Sequence, residues 1–207
     1  MQHLSDRVTR IEESILALLL ASITIITFTQ VIARYVFNSG WGGALELTRI
    51  LFAWMILFGM SYGVKVGSHL GVDAFVRLFP KPVFRATALF GALACLLYGV
   101  ILLSSDWMQA IGANTRGGAI DYWQKMYKIG IGLDDLTYPD AMREALGIRQ
   151  ERVHRWIAYI MLPLGLALFA FRSAQALIDI LRGKRETIIA SHEAEDLVAE
   201  NKDILKD

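Results

Sequence analysis

The sequence predicts an all-α integral membrane protein: four transmembrane helices, with an interfacial amphipathic helix between spans two and three. Three observations predict it. Of 207 residues, 55% belong to the apolar set AVILMFWYC, and with the 17 glycines the share is about 63%, against roughly 45–50% in soluble domains. Charged residues still make up 20%, so they are segregated rather than diluted. Finally, four windows reach about 20 apolar residues, the length that crosses a hydrocarbon core of roughly 30 Å. Barrel strands would alternate apolar and polar residues, and these windows do not.

The elements follow in order. Residues 1–14 form a polar N-tail. Span one, 15–36, carries a single charge, Arg34. It is longer than the apolar core of a secretion signal, about 7–15 residues, and no small-residue cleavage site follows it, so it is expected to remain in the mature chain. Span two, 45–66, has Glu46 and Arg49 at its start and Lys65 at its end. The stretch 72–84 (VDAFVRLFPKPVF) is too short to cross but rich in apolar residues. It reads as a helix in the interface broken at Pro80 and Pro82, or as a loop packed under the bundle. Span three, 86–105, is uncharged. The long loop 106–155 opens with Gly-rich GANTRGGA, and its Asp121–Lys128 stretch (DYWQKMYK) has the Trp/Tyr enrichment of a headgroup belt. Span four, 156–181, holds Arg172 and Asp179 towards its end, and Pro163, whose missing donor predicts a kink. Residues 182–207 form a polar tail.

An even number of spans places both termini on one side. Lys and Arg number ten on that side and seven on the other, so the balance decides little. The cluster Arg182–Gly183–Lys184–Arg185 directly after the last span favours cytoplasmic termini.

Several function classes drop out. A net charge of +1 offers no basis for a nucleic-acid partner. One cysteine, Cys95, excludes an intrachain disulfide and a Cys-based metal site. The four histidines (His3, His69, His154, His192) all lie outside the spans, and His69 and His154 fall at opposite faces, so paired haem ligands are not supplied. No hydrolase, zinc-protease or phosphate-loop motif is present, so neither an enzyme nor a cofactor is expected. A self-contained carrier commonly shows repeats and a polar midplane site. This chain has no repeat, and its polar groups sit at span ends.

Those polar groups are the candidates. Arg34, Glu46 and Arg49 fall at one end of the hairpin formed by spans one and two. They read as a structural ion-pair cluster, a contact with a partner subunit, or a substrate site. Thr27, Gln30 and Arg34 make a polar stripe at helical spacing that should face protein rather than lipid. Arg172 lies 16 residues beyond Trp156, about 24 Å along the helix, where it can snorkel or pair weakly with Asp179. Two readings stay open: a scaffold that buries polar faces against another membrane protein, or an independent small exporter or membrane enzyme.

RYVFN (Arg34–Asn38), Trp41, Glu46 and Arg49 are followed by LFAWMILFGMSYGVKVGSHLGVDAF, which carries Trp54, Gly59, Lys65, Gly67, His69, Val72 and Asp73. With LPLGLALFAFRSAQAL around Arg172, this order over residues 10–185 resembles the small, DctQ-type membrane subunit of tripartite ATP-independent periplasmic (TRAP) transporters. Trp41 and Glu46 stand five apart rather than the family's three, because Gly42 and Gly43 intervene. LDDLTYP (Leu133–Pro139) and the IIASHEAEDL tail are similar to the C4-dicarboxylate branch. The resemblance implies a fixed, non-catalytic partner of a large multi-span subunit that carries the anion with sodium by an elevator-like movement. A soluble periplasmic binding protein would dock transiently. It further implies the bacterial inner membrane, cytoplasmic termini, a periplasmic 106–155 loop and a 72–84 helix on the cytoplasmic interface. Gln30, Arg34, Trp41, Glu46, Arg49, His69, Asp73 and Arg172 would then make partner-subunit or structural polar contacts. Tyr122, Trp123, Lys125, Tyr127 and Lys128 would lie in the receptor-docking loop.

Overall fold

The computed structural model describes residues 2–66 and 81–183. His69, Asp73, the stretch 72–80 of the expected interfacial helix and the tail from residue 184 lie outside the described residues. Among those described, four helices are long and apolar enough to cross a membrane.

Helix α1 (Gln2–Tyr35) has no glycine or proline to interrupt it. It therefore runs unbroken through the expected N-tail, and its part from Arg10 to Tyr35 is long and apolar enough to cross a membrane. A turn with Asn38 at φ 47° leads into α2 (Ala44–Val66). Helix α3 (Lys81–Leu103) is helical from its first described residue, ahead of the uncharged window. Pro82 lies one residue after Lys81, where the described part of this helix begins, and a proline is accommodated near a helix start because no intrahelical donor is needed there.

The 106–155 loop is a small folded module. It contains a 3₁₀ turn (Asp106–Ile111), α4 (Ala119–Ile129), β1 (Gly132–Thr137), α5 (Asp140–Leu146) and β2 (Arg152–His154). Gly112, Gly130 and Gly147 close the 3₁₀ turn, α4 and α5 at φ 83°, 67° and 63°, the left-handed geometry that glycine adopts without steric cost. The two strands pair antiparallel, Gly132 with His154 and Thr137 with Arg152, and β1 bulges between these points. The last span is split into α6 (Arg155–Tyr159) and α7 (Met161–Leu181). Pro163 has no N–H for the Tyr159 carbonyl, so the kink it predicts appears as an interruption at Ile160.

The spans pack side by side in the order α1, α2, α7, α3. Glycines set the closest approaches: a Cβ on Gly165 would lie 2.6 Å from Leu57 Cβ, and one on Gly99 would lie 3.0 Å from Phe169 Cδ1. Small residues of this kind let membrane helices gain dispersion contacts that lipid cannot replace. Val64, Phe169 and Ala176 form the buried apolar centre, flanked by Met60 and Cys95. At the end where the N-terminus lies, Arg85 Nη2 donates to the Ile180 and Leu181 carbonyls at 3.4 Å each. That puts a cation on the C-terminus of α7, where the helix dipole favours one.

Candidate functional site

Two polar locks, one at each end of the bundle, organise the candidate residues. The first lies at the end that carries the N-terminus. Glu12 of α1 and Arg172 of α7 are only 2% and 3% exposed. Arg172 Nη2 donates to Glu12 Oε2 at 2.8 Å, and Ser61 Oγ of α2 donates to Glu12 Oε1 at 3.1 Å. Arg172 Nη1 also donates to Gln175 Oε1 at 3.1 Å, while its buried Nε has no acceptor. One carboxylate thus ties three spans together, and beside it Tyr62 donates to Glu13 Oε1 at 2.9 Å.

Arg172 therefore neither snorkels nor pairs with Asp179. The Glu12 carboxylate, buried beside it, supplies the counter-charge instead. Glu12 was missed because it precedes the apolar run and reads as tail. The available signal was its position 18 residues before Gln30, five helical turns, which continues the polar stripe of span one on the same face.

The second lock lies at the opposite end, by the turn between α1 and α2. Here the Glu46 carboxylate accepts three consecutive backbone N–H groups: Asp134 at 3.1 Å, Asp135 at 2.8 Å and Leu136 at 2.9 Å. In a regular strand successive N–H groups point to opposite sides. The bulge in β1 turns these three towards one anion, as in the backbone nests that bind phosphates. Arg155 adds an ion pair to Asp134 at 2.9 Å, and Tyr138 Oη lies 3.0 Å from His154 Nδ1. Trp54 Nε1 ties α2 to the broken span by donating to the Ala158 carbonyl at 2.9 Å. The intervening Gly43 has a purpose here, since a Cβ on it would come within 3.0 Å of both Asp135 O and Leu136 Cδ1.

The expected Arg34–Glu46–Arg49 ion cluster does not form. Glu46 spends both oxygens on β1, and among the described residues Arg34 and Arg49 have no ion pair and are exposed. Gln30 and Trp41 are brought together instead: the Gln30 amide donates to Trp41 O at 2.6 Å and accepts from Trp41 N at 3.2 Å, closing the turn. Thr27 stays exposed on the outer side of α1.

The Asp121–Lys128 stretch forms most of α4. Its aromatic side packs on the start of the last span, with Tyr122 5.3 Å from Tyr159 and Tyr127 5.7 Å from Trp156 between ring centres. Trp123 stacks on Tyr127 at 5.9 Å. Asp121, Gln124, Lys125 and Lys128 make up the opposite, exposed face. Among the described residues no three His, Cys, Asp or Glu side chains converge as metal ligands.

A family model described as tripartite ATP-independent periplasmic transporters, DctQ component, matches residues 23–132. A C4-dicarboxylate TRAP transporter small permease protein DctQ from Vibrio cholerae is 35% identical over 193 residues, covering 90% of this chain and 78% of the relative. A protein of the same description from Pseudomonas aeruginosa is 31% identical over 216 residues, 90% of each chain. A putative TRAP transporter small permease protein from Haemophilus influenzae is 33% identical over 118 residues, 57% of this chain and 66% of the relative.

Proposed function

The chain belongs to the DctQ component family of tripartite ATP-independent periplasmic transporters, and from that premise we propose that it is the fixed scaffold subunit of a sodium-coupled importer of C4-dicarboxylates. It is a multi-pass membrane protein of a non-enzymatic family. In this reading it anchors a large elevator-type subunit in the bacterial inner membrane, with both termini cytoplasmic and the 106–155 module periplasmic. The substrate class follows from the names of the relatives above.

The observation that carries the scaffold role is the polar lock at each end of the bundle. Glu12 and Arg172 fix the register of α1, α2 and α7, and Glu46 fixes the module to the start of α2. A stator must resist the displacement of its moving partner, and each lock joins elements far apart in sequence. Partner-facing roles fall to Arg49, His69 and Asp73, while Gln30, Trp41, Glu46 and Arg172 serve the internal structure.

Reconstitution tests this directly. Liposomes with this chain, the large subunit and the periplasmic receptor are expected to take up labelled succinate along a sodium gradient, and liposomes with this chain alone are expected to take up none. Succinate flux through the chain alone would overturn the scaffold reading.

The exposed face of α4 supplies the receptor contact. The double charge reversal Lys125→Glu/Lys128→Glu is expected to lower uptake several-fold at limiting receptor while the membrane complex still co-purifies, since rim charges act mainly on association rate. Undiminished uptake at every receptor concentration would remove α4 from the docking surface.

A further inference from the structure

The outer side of the first hairpin holds a groove that none of these roles uses. It lies between the last turns of α1 and the first turn of α2, with a volume of about 790 Å³. Among the described residues that line it, Arg34 is the only charge. Val31 and Leu45 form apolar walls, and Tyr35, Asn38 and Trp41 surround the mouth.

Arg34 is one residue from the end of α1, a helix long and apolar enough to cross a membrane, and the end of such a helix is where headgroups are met. The carboxylate that the hairpin could have offered, Glu46, is fully engaged by β1. The site thus pairs a guanidinium that has no ion-pair partner among the described residues with aromatic residues of the interfacial type. Both stand beside a mixed groove about 10 Å long from Thr27 to Arg34, in which Val31 and Leu45 supply apolar surface. We propose that this groove binds a single phospholipid of the leaflet on the hairpin side. Its phosphodiester sits on the Arg34 guanidinium within reach of the Asn38 amide, and the start of an acyl chain lies along Val31 and Leu45. A partner's carboxylate would satisfy the charge alone, whereas one phospholipid meets both the charge and the apolar surface of Val31 and Leu45. The phosphodiester is the anion the bilayer itself presents at that depth, and guanidinium is the side chain best matched to it.

Native mass spectrometry of the full purified chain in detergent tests the site, with dioleoylphosphatidylglycerol, dioleoylglycerol and inorganic phosphate as probes. The wild-type chain is expected to retain one phosphatidylglycerol, to bind dioleoylglycerol about tenfold more weakly, and to keep its lipid against millimolar phosphate. Arg34→Gln should weaken phosphatidylglycerol binding about tenfold, and Arg34→Lys should retain most of it. Melting temperatures of the variants serve as the folding control, and Arg34, being exposed, should leave them unchanged. Equal lipid retention by Arg34→Gln would overturn the proposal, as would displacement of the lipid by inorganic phosphate. So would loss of the large subunit from Arg34→Gln with lipid binding intact, which would assign the groove to a partner's carboxylate.

Discussion

Replacing Arg172 with leucine is expected to destabilise the folded bundle by about 3–5 kcal/mol, because it leaves the Glu12 carboxylate buried without its counter-ion. Glu12→Ala should cost a similar amount, now stranding a guanidinium whose Nε already lacks an acceptor. The double variant Glu12→Ala/Arg172→Leu is the informative one. Removing both charges lifts the desolvation penalty of each, and apolar replacements of buried ion pairs are often neutral or stabilising. Its stability should therefore lie well above that of either single variant. Unfolding of all four proteins in one detergent, read as a double-mutant cycle, measures the coupling. Additive losses would mean that the two side chains do not act as a pair. Ser61→Ala should cost less, about 1 kcal/mol, since the carboxylate keeps its stronger partner.

The contrast between this pair and the spans shows what was legible in the sequence. Four crossings are written in local windows, because a bilayer imposes its thickness on each segment separately, and all four are present. Pro163 likewise announces its effect locally, only displaced by one turn towards the carbonyl it deprives. The polar candidates were found through the expense of a charge near a span, which marks a residue as significant without naming its partner. Glu46 is the clearest case. Its position drew attention, and the nearest cations, Arg34 and Arg49, were the natural partners by residue type. The actual partners are backbone N–H groups about 90 residues away, and backbone donors have no signature in composition. Strand β1 (GLDDLT) was invisible for a related reason, since two aspartates and a glycine are poor strand formers. Its bulge turns three consecutive amides towards the Glu46 carboxylate, a contact that no local pattern encodes. Glu12 and Arg172 are 160 residues apart, and only the helical phase shared with Gln30 hinted that Glu12 faces inward.

The same reasoning makes Glu46 the residue on which the module depends. Glu46→Ala removes three charge-assisted hydrogen bonds at once, each worth about 1.5–3 kcal/mol in isolation. The bonds share one anion and the site is partly open to solvent, so the net loss should be a few kcal/mol rather than their sum. That loss should be local. The spans keep their packing and the Glu12–Arg172 pair, while β1 loses the anion that holds its bulge. Hydrogen exchange should therefore accelerate by at least tenfold at the amides of Asp134, Asp135 and Leu136, with protection in α2 and α7 little changed. Glu46→Gln discriminates charge from shape, since the amide fills the same volume but offers one acceptor and points a donor at backbone donors. It should resemble Glu46→Ala more than the wild type. If the module positions α4 for the receptor, both variants should also lower succinate uptake in an assembled complex. Unchanged exchange at residues 134–136 in Glu46→Ala would show that β1 is held by its pairing with β2 and by Arg155 alone, leaving Glu46 free for the partner subunit.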